Sequence, residues 1–179
     1  MKKLLFTLSL CMIFISILPL TSSTFAFQND EFDKPLIYGN TPLPTGWRGI
    51  PWWSSPTDFG DKIVSLAKVG KVSVYIDIGS VRNIISIYLM FYNNEFACIV
   101  LKCEDQDAFV ELMREFTMYG RPKPLNKNDG KNGSFKFGWW DDEKVIVVVP
   151  ASMVVIIGTY EGISLAGNEI AKVMGKHSF

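Results

Sequence analysis

The side chains best suited to chemistry are few and poorly placed. The single histidine, His177, stands two residues from the C-terminus, and a chain end is poor ground for a general base. With no second histidine, neither a Ser–His–Asp nor a Cys–His arrangement can be assembled, and a histidine-based zinc site fails for the same reason. Carboxylates gather at Glu104, Asp105 and Asp107, and again at Asp141, Asp142 and Glu143. The first group opens an expected helix, where the dipole favours negative charge, and the second forms a hairpin tip. Both read as solvated structural features, and nothing in their spacing singles out the acid pair that a glycosidase needs. Asn128-Asp129-Gly130-Lys131-Asn132-Gly133 has the outline of a calcium loop. Glycine in its third ligand position, and Trp139 where a bidentate glutamate is required, argue against it. Gly130 and Gly133 precede no helix start, so they do not make a phosphate loop. Asn132-Gly133-Ser134 is a formal glycosylation sequon, meaningful only in a eukaryotic secretory pathway. No catalytic residue, metal site or cofactor is expected.

Two other residue classes carry information. Cys98 and Cys103 share one expected strand, five positions apart. They should point to opposite faces about 17 Å apart, whereas a disulfide needs Cα atoms within about 7 Å. Buried free thiols are the expectation. Of five tryptophans, four form adjacent pairs, Trp52-Trp53 and Trp139-Trp140. Neighbours on a strand face opposite ways, so one of Trp139 and Trp140 should pack in the core and the other face outward, while Trp52-Trp53, just before the first expected helix, places one ring to staple that helix to the sheet. Exposed Trp is favoured at interaction hot spots and on sugar-binding surfaces.

The elements that position these residues follow from periodicity. Ser55-Pro56-Thr57-Asp58 reads as a helix start, Phe59, Ile63 and Leu66 continue at helical spacing, and Gly70 ends it. Val72, Val74, Ile76 and Ile78 alternate with Ser73, Tyr75 and Asp77, as in a half-buried strand. A second strand over Ile84–Tyr92 and a third over Glu95–Cys103 flank Asn93-Asn94, a type I′ hairpin signal. Asp105 caps a second helix striped by Phe109, Leu112, Met113, Phe116 and Tyr119 and ended by Gly120. Strands resume over 135–140, 144–149 and 153–160, and Ser164–Met174 is expected as a short helix. Ser55 and Asp105, Phe59 and Phe109, and Gly70 and Gly120 lie 50 positions apart, while Phe91–Glu95 and Trp139–Glu143 match at 48. A helix-then-hairpin unit repeated in tandem is the economical explanation, with chance likeness between two amphipathic helices the competing one. The expected fold is α+β, a two-layer sandwich with about six antiparallel strands and two helices on one face. If Ile85, Ile87, Leu89 and Phe91 lie under the helices, the outer face carries Ile84, Ser86, Tyr88, Met90 and Tyr92. That set is too apolar for water, so the lead-in or C-terminal segment covers it, or a ligand does.

Composition bounds the function. Of 179 residues 48% are apolar, and eighteen basic side chains balance eighteen acidic ones. That excludes a disordered chain, and it excludes the basic surplus that nucleic acid demands. Lys2 and Lys3, the apolar run Leu4–Leu20 and the small–x–small Thr24-Phe25-Ala26 form a signal peptide over residues 1–26, with a retained anchor as the alternative. Leu10 before Cys11 argues against a lipoprotein signal. Cleavage would remove two basic groups and no acid, leaving sixteen against eighteen and a net charge of about −2. An irregular lead-in over 27–46 and a single domain over 47–179 would remain. The run from Val145 to Ile157 is interrupted by Pro150-Ala151-Ser152, so no membrane span is expected after the signal.

Three strings carry a resemblance. Gly46-Trp47-Arg48-Gly49-Ile50-Pro51-Trp52-Trp53-Ser54-Ser55, Tyr88–Asn94 and Tyr119-Gly120-Arg121-Pro122 together resemble a group of small uncharacterised exported bacterial proteins. That group opens with aromatic–Arg–Gly–x–x–Trp–Gly–Ser and carries a hairpin and a helix end of Tyr-Gly-Lys/Arg-Pro. The likeness covers about residues 46–160, and Trp53 stands where the group has glycine. It implies export to the periplasm or medium and supplies no activity. More distantly, a helix-and-hairpin repeat is similar to the architecture of envelope assembly lipoproteins and secreted protein inhibitors. The expectation is a non-enzymatic module that binds a protein of the envelope or extracellular space, with Trp53, Trp140, Tyr88 and Tyr92 as candidate contact residues. The alternatives are a carbohydrate or cell-wall binder that stacks sugars on Trp53 or Trp140 and, third, a carboxylate-dependent hydrolase.

Overall fold

The computed structural model describes residues 38–124 and 137–175. The expected signal peptide, the calcium-like loop, the sequon and His177 lie outside the described residues. Residues 38–45 run without regular structure, tied to the rest by Gly39 N–H and Thr41 N–H donating to the carbonyls of Thr117 and Met118. Two short strands, β1 (Gly46–Trp47) and β2 (Ile50–Pro51), form a ribbon by themselves. The main sheet holds β3 (Ile63–Val69), β4 (Val72–Asp77), β5 (Ile84–Tyr92) and β6 (Glu95–Cys103), and helix α1 (Gln106–Phe116) comes after them. Then come β7 (Lys123–Pro124), β8 (Phe137–Trp140), β9 (Lys144–Val149), β10 (Val154–Thr159) and helix α2 (Tyr160–Gly175). The fold is α+β around one large antiparallel sheet of eight strands in the order β3-β4-β5-β6-β10-β9-β8-β7. Two four-stranded meanders are therefore joined side by side through β6 and β10.

The expected first helix is not there. Ser55 does cap a helical start, accepting from Thr57 N–H while Asp58 accepts from Ser55 N–H at 2.7 Å. Beyond that cap, Pro56–Lys62 forms a 3-10 stretch in which Gly60 takes φ 59° and breaks the helical path. Ile63, Val64 and Val69 then enter β3, where β-branched side chains fit a pleated surface and β4 supplies hydrogen-bond partners. The 50-residue equivalence therefore holds at the caps and at buried Phe59 and Phe109, and fails beyond them. Both 48-offset hairpins exist, β5–β6 and β8–β9, but the sheet order makes β5–β6 the counterpart of β9–β10. Each half of the sheet is thus a helical segment followed by a four-stranded meander, not a helix followed by a hairpin.

The layering also differs from expectation. On β6, Ile99, Leu101 and Cys103 belong to one core, together with Phe109 and Phe116 of α1. Cys98 and Val100 belong to a second core, with Ala166 and Ile170 of α2. Because alternate strand residues face opposite ways, the helices lie on opposite faces and the molecule has three layers. We call the α1 side the inner face and the α2 side the outer face. The cause is legible in the runs Phe96–Leu101 and Val145–Val149, whose nearly continuous burial marks a sheet covered on both sides. The C-terminal helix, longer than expected and beginning at Tyr160, provides that second cover.

On β5 the expected inner set holds for Ile87, Leu89 and Phe91 but not for Ile85. A bulge between Ile84 and Ser86 shifts the register, so Ile84 packs inward and Ile85 is 64% exposed. The Asn93-Asn94 hairpin forms as expected, with φ 51° and 67°. Glycine tolerates the second position better than asparagine, so Asn94→Gly should raise stability by about 0.5 kcal/mol. Thermal denaturation checks this, and a lowered midpoint would contradict it.

Candidate binding surface

Each tryptophan pair divides into a buried and an exposed member, Trp139-Trp140 by strand alternation and Trp52-Trp53 at a turn. Trp52 and Trp139 are buried in the inner core, and each indole N–H is satisfied, Trp52 Nε1 donating to the Pro44 carbonyl at 2.9 Å and Trp139 Nε1 to the Gly120 carbonyl at 2.7 Å. Their partners are open to solvent, Trp53 at 36% and Trp140 at 38% exposure. Trp53 takes φ 70°, a left-handed conformation that glycine adopts without cost. A bulky residue there carries about 1–2 kcal/mol of backbone strain. The bonds from Trp53 N–H to the Phe96 carbonyl and from Phe96 N–H to the Ser54 carbonyl, both 2.8 Å, hold it in place.

A buried anchor fixes the segment before Trp53. Asp77, whose side chain is 1% exposed, accepts Trp47 Nε1–H at 2.9 Å, Gly79 N–H at 2.8 Å and Arg48 Nε–H at 2.8 Å. The Arg48 guanidinium lies against Gly79 so closely that a Cβ there would sit 2.4 Å from Nη2. The Trp47-Arg48-Gly49 string is thus a structural clasp, with Arg48 and Gly49 in left-handed turn positions at φ 52° and 81°. Sequence reasoning missed this role. The one signal for it was an aspartate ending a strand whose other residues were suited to burial.

On the outer face, α2 packs over β3, β4, β5, β6 and β10. Beside it runs an apolar groove of about 360 Å³. Its floor is Met90, Cys98, Val100 and Ile156, and its wall is the helix flank of Ile163, Gly167, Ala171 and Met174. Farther from the helix, Trp140 on β8 pairs with Val145 on β9. Since Trp139 and Ile146 face inward, Trp140, Val145 and Val147 share the outer face, and β10 contributes Ile156. Lys123 Nζ stands 5.3 Å from the Trp140 ring centroid, a cation–π contact. Tyr160, 71% exposed, begins α2.

The four candidate contact residues therefore do not form one patch. Trp140 stands open on the outer face beyond the groove, and Trp53 stands beside the start of β6. Tyr88 and Tyr92 are half-buried against the α2 core, with Lys71 Nζ 5.8 Å from the Tyr92 ring. Tyr88 pairs with Val100, which places it in the strand row at the groove floor.

The titratable groups are arranged for structure. Cys98 and Cys103 are free, buried and on opposite faces, as expected. Burial pushes the Cys98 thiol up to about 12 and that of Cys103 up to about 11, so both stay protonated. Asp105 accepts Ala108 N–H at 2.8 Å as the cap of α1. At the β8–β9 turn, partial burial alone would raise the Asp141 carboxyl. The backbone N–H groups of Glu143 and Lys144, at 2.9 and 2.7 Å, and the Lys144 ammonium outweigh it and hold the carboxyl below its ordinary value. Among the described residues, no three His, Cys, Asp or Glu side chains converge where they could hold a metal ion, and no helix is long and apolar enough to cross a membrane. No protein-family model, curated protein or solved structure matches the chain.

Proposed function

We propose that this protein is a non-enzymatic, exported binding module that engages another protein of the envelope or extracellular space. Its contact surface is the part of the outer sheet face lying beyond α2. The observation that carries the reading is Trp140, an exposed indole on β8 paired across the sheet with the apolar Val145. Tryptophan is enriched among interaction hot spots. Lys123 occupies the approach to the Trp140 ring, which favours a protein contact over flat stacking of a sugar. Export rests on the basic and apolar leader over residues 1–26 and on the resemblance to exported proteins.

Truncating Trp140 removes the ring and leaves the inner core untouched, so Trp140→Ala should fold normally. It should weaken partner capture by about tenfold or more, as hot-spot residues do. Crosslinked capture from the native envelope fraction, with circular dichroism of both proteins, measures this. Equal capture by wild type and a folded Trp140→Ala would sink the proposed surface.

A further inference from the structure

The groove beside α2 is defined by what its walls lack. No residue lining it carries a charge, hydroxyl, amide or imidazole, and burial keeps the Cys98 thiol protonated. Its floor strands β5, β6 and β10 are all interior to the sheet, so their backbone groups are taken up by neighbouring strands. The groove holds about 360 Å³, room for about a dozen waters, none of which would find a partner on these walls. Engineered apolar cavities of about 150 Å³ already stay dry and take up benzene.

Small residues on the helix wall keep the groove open. A Cβ placed on Gly167 would meet nothing within 4 Å, so packing does not demand glycine there. Glycine inside a helix is unfavourable relative to alanine, and what it supplies at this position is room. Ala171, one turn farther along, continues the same low flank.

We propose that this groove binds an uncharged hydrocarbon chain, lying between the Gly167–Ala171 flank of α2 and the strand floor of Val100 and Ile156. The lining selects that class. A carboxylate, a sugar or a peptide backbone would give up its hydration there and gain no partner, whereas every methylene of an uncharged chain gains by leaving water. The site is separate from the protein-contact surface at Trp140, and the two are tested by different variants.

The test titrates the purified protein with N-phenyl-1-naphthylamine, an uncharged fluorescent probe, and displaces it with dodecanol or dodecanoate. Wild type should bind the probe saturably, and dodecanol should displace it. Dodecanoate should compete about tenfold more weakly, because its charge must stay in water at the expense of chain contact. Gly167→Leu and Ala171→Leu each fill the groove from the helix side. Both put a good helix former at an exposed position, so their thermal midpoints should stay near that of wild type, and that of Gly167→Leu should rise. Their affinity for the probe should fall by at least about tenfold. Trp140→Ala should bind the probe as wild type does. Absence of saturable binding to wild type would overturn the proposal. So would wild-type affinity in both folded leucine variants, loss of the probe from Trp140→Ala, or dodecanoate competing as well as dodecanol.

Discussion

Asp77→Ala should destabilise the protein by about 3 kcal/mol and lower its thermal midpoint by about 10 °C. The carboxylate is enclosed and accepts three hydrogen bonds, from the Trp47 indole, the Arg48 guanidinium and the Gly79 backbone. Removing one member of a buried charged pair commonly costs about 3–5 kcal/mol, because the remaining charge is left without a partner. The lower figure applies here, since the Arg48 side chain is 32% exposed and water can reach it. The Trp47 and Gly79 donors would still be stranded. Asp77→Asn keeps the shape and part of the hydrogen bonding, so its loss should be about half as large. Urea unfolding of the three proteins measures the series. Equal midpoints for wild type and Asp77→Ala would show that the clasp carries no stability.

Phe96→Ala should cost about 4 kcal/mol, the other large effect. Phe96 is fully buried and contacts three aromatic rings, with centroids 4.9 Å away at Trp52, 5.0 Å at Phe59 and 5.3 Å at Phe91. These rings come from the segment before the 3-10 stretch, the stretch itself and β5, so they cannot collapse together into the space left. The residue therefore ties the irregular N-terminal segment to the sheet. Limited proteolysis should show cleavage before residue 60 accelerating in this variant, alongside a lowered unfolding midpoint. An unfolding midpoint within a few degrees of wild type would contradict the packing described.

Periodicity located β4, β5, β6 and α1 nearly to the residue, because each has a clean period and a matching cap or turn. Asn93-Asn94 and Asp105 are local signals whose chemistry acts within four residues, so they survive any tertiary context. The first expected helix failed because Phe59, Ile63 and Leu66 satisfy helical spacing while Ile63–Val69 equally suits a strand, and pairing with β4 decided between them. A bulge has no sequence mark of its own, so the exchange of Ile84 and Ile85 was invisible. The layer count was legible, since unbroken apolar runs on β6, β9 and β10 demand cover on both faces. For the site, alternation separated Trp139 from Trp140 but could not choose the exposed member, and the turn that divides Trp52 from Trp53 has no period to read. The apolar groove was not legible either, because it exists only once α2 is laid across the sheet.

The central claim is that the outer face around Trp140 receives a protein partner. The most direct measurement places a photo-crosslinking residue at position 140 in one protein and at position 115 in another. Position 115 is an exposed site on α1 over the inner face. Irradiation in the native envelope fraction should give a discrete adduct from position 140 and none from position 115. Adducts from neither position, or the same adducts from both, would contradict the account.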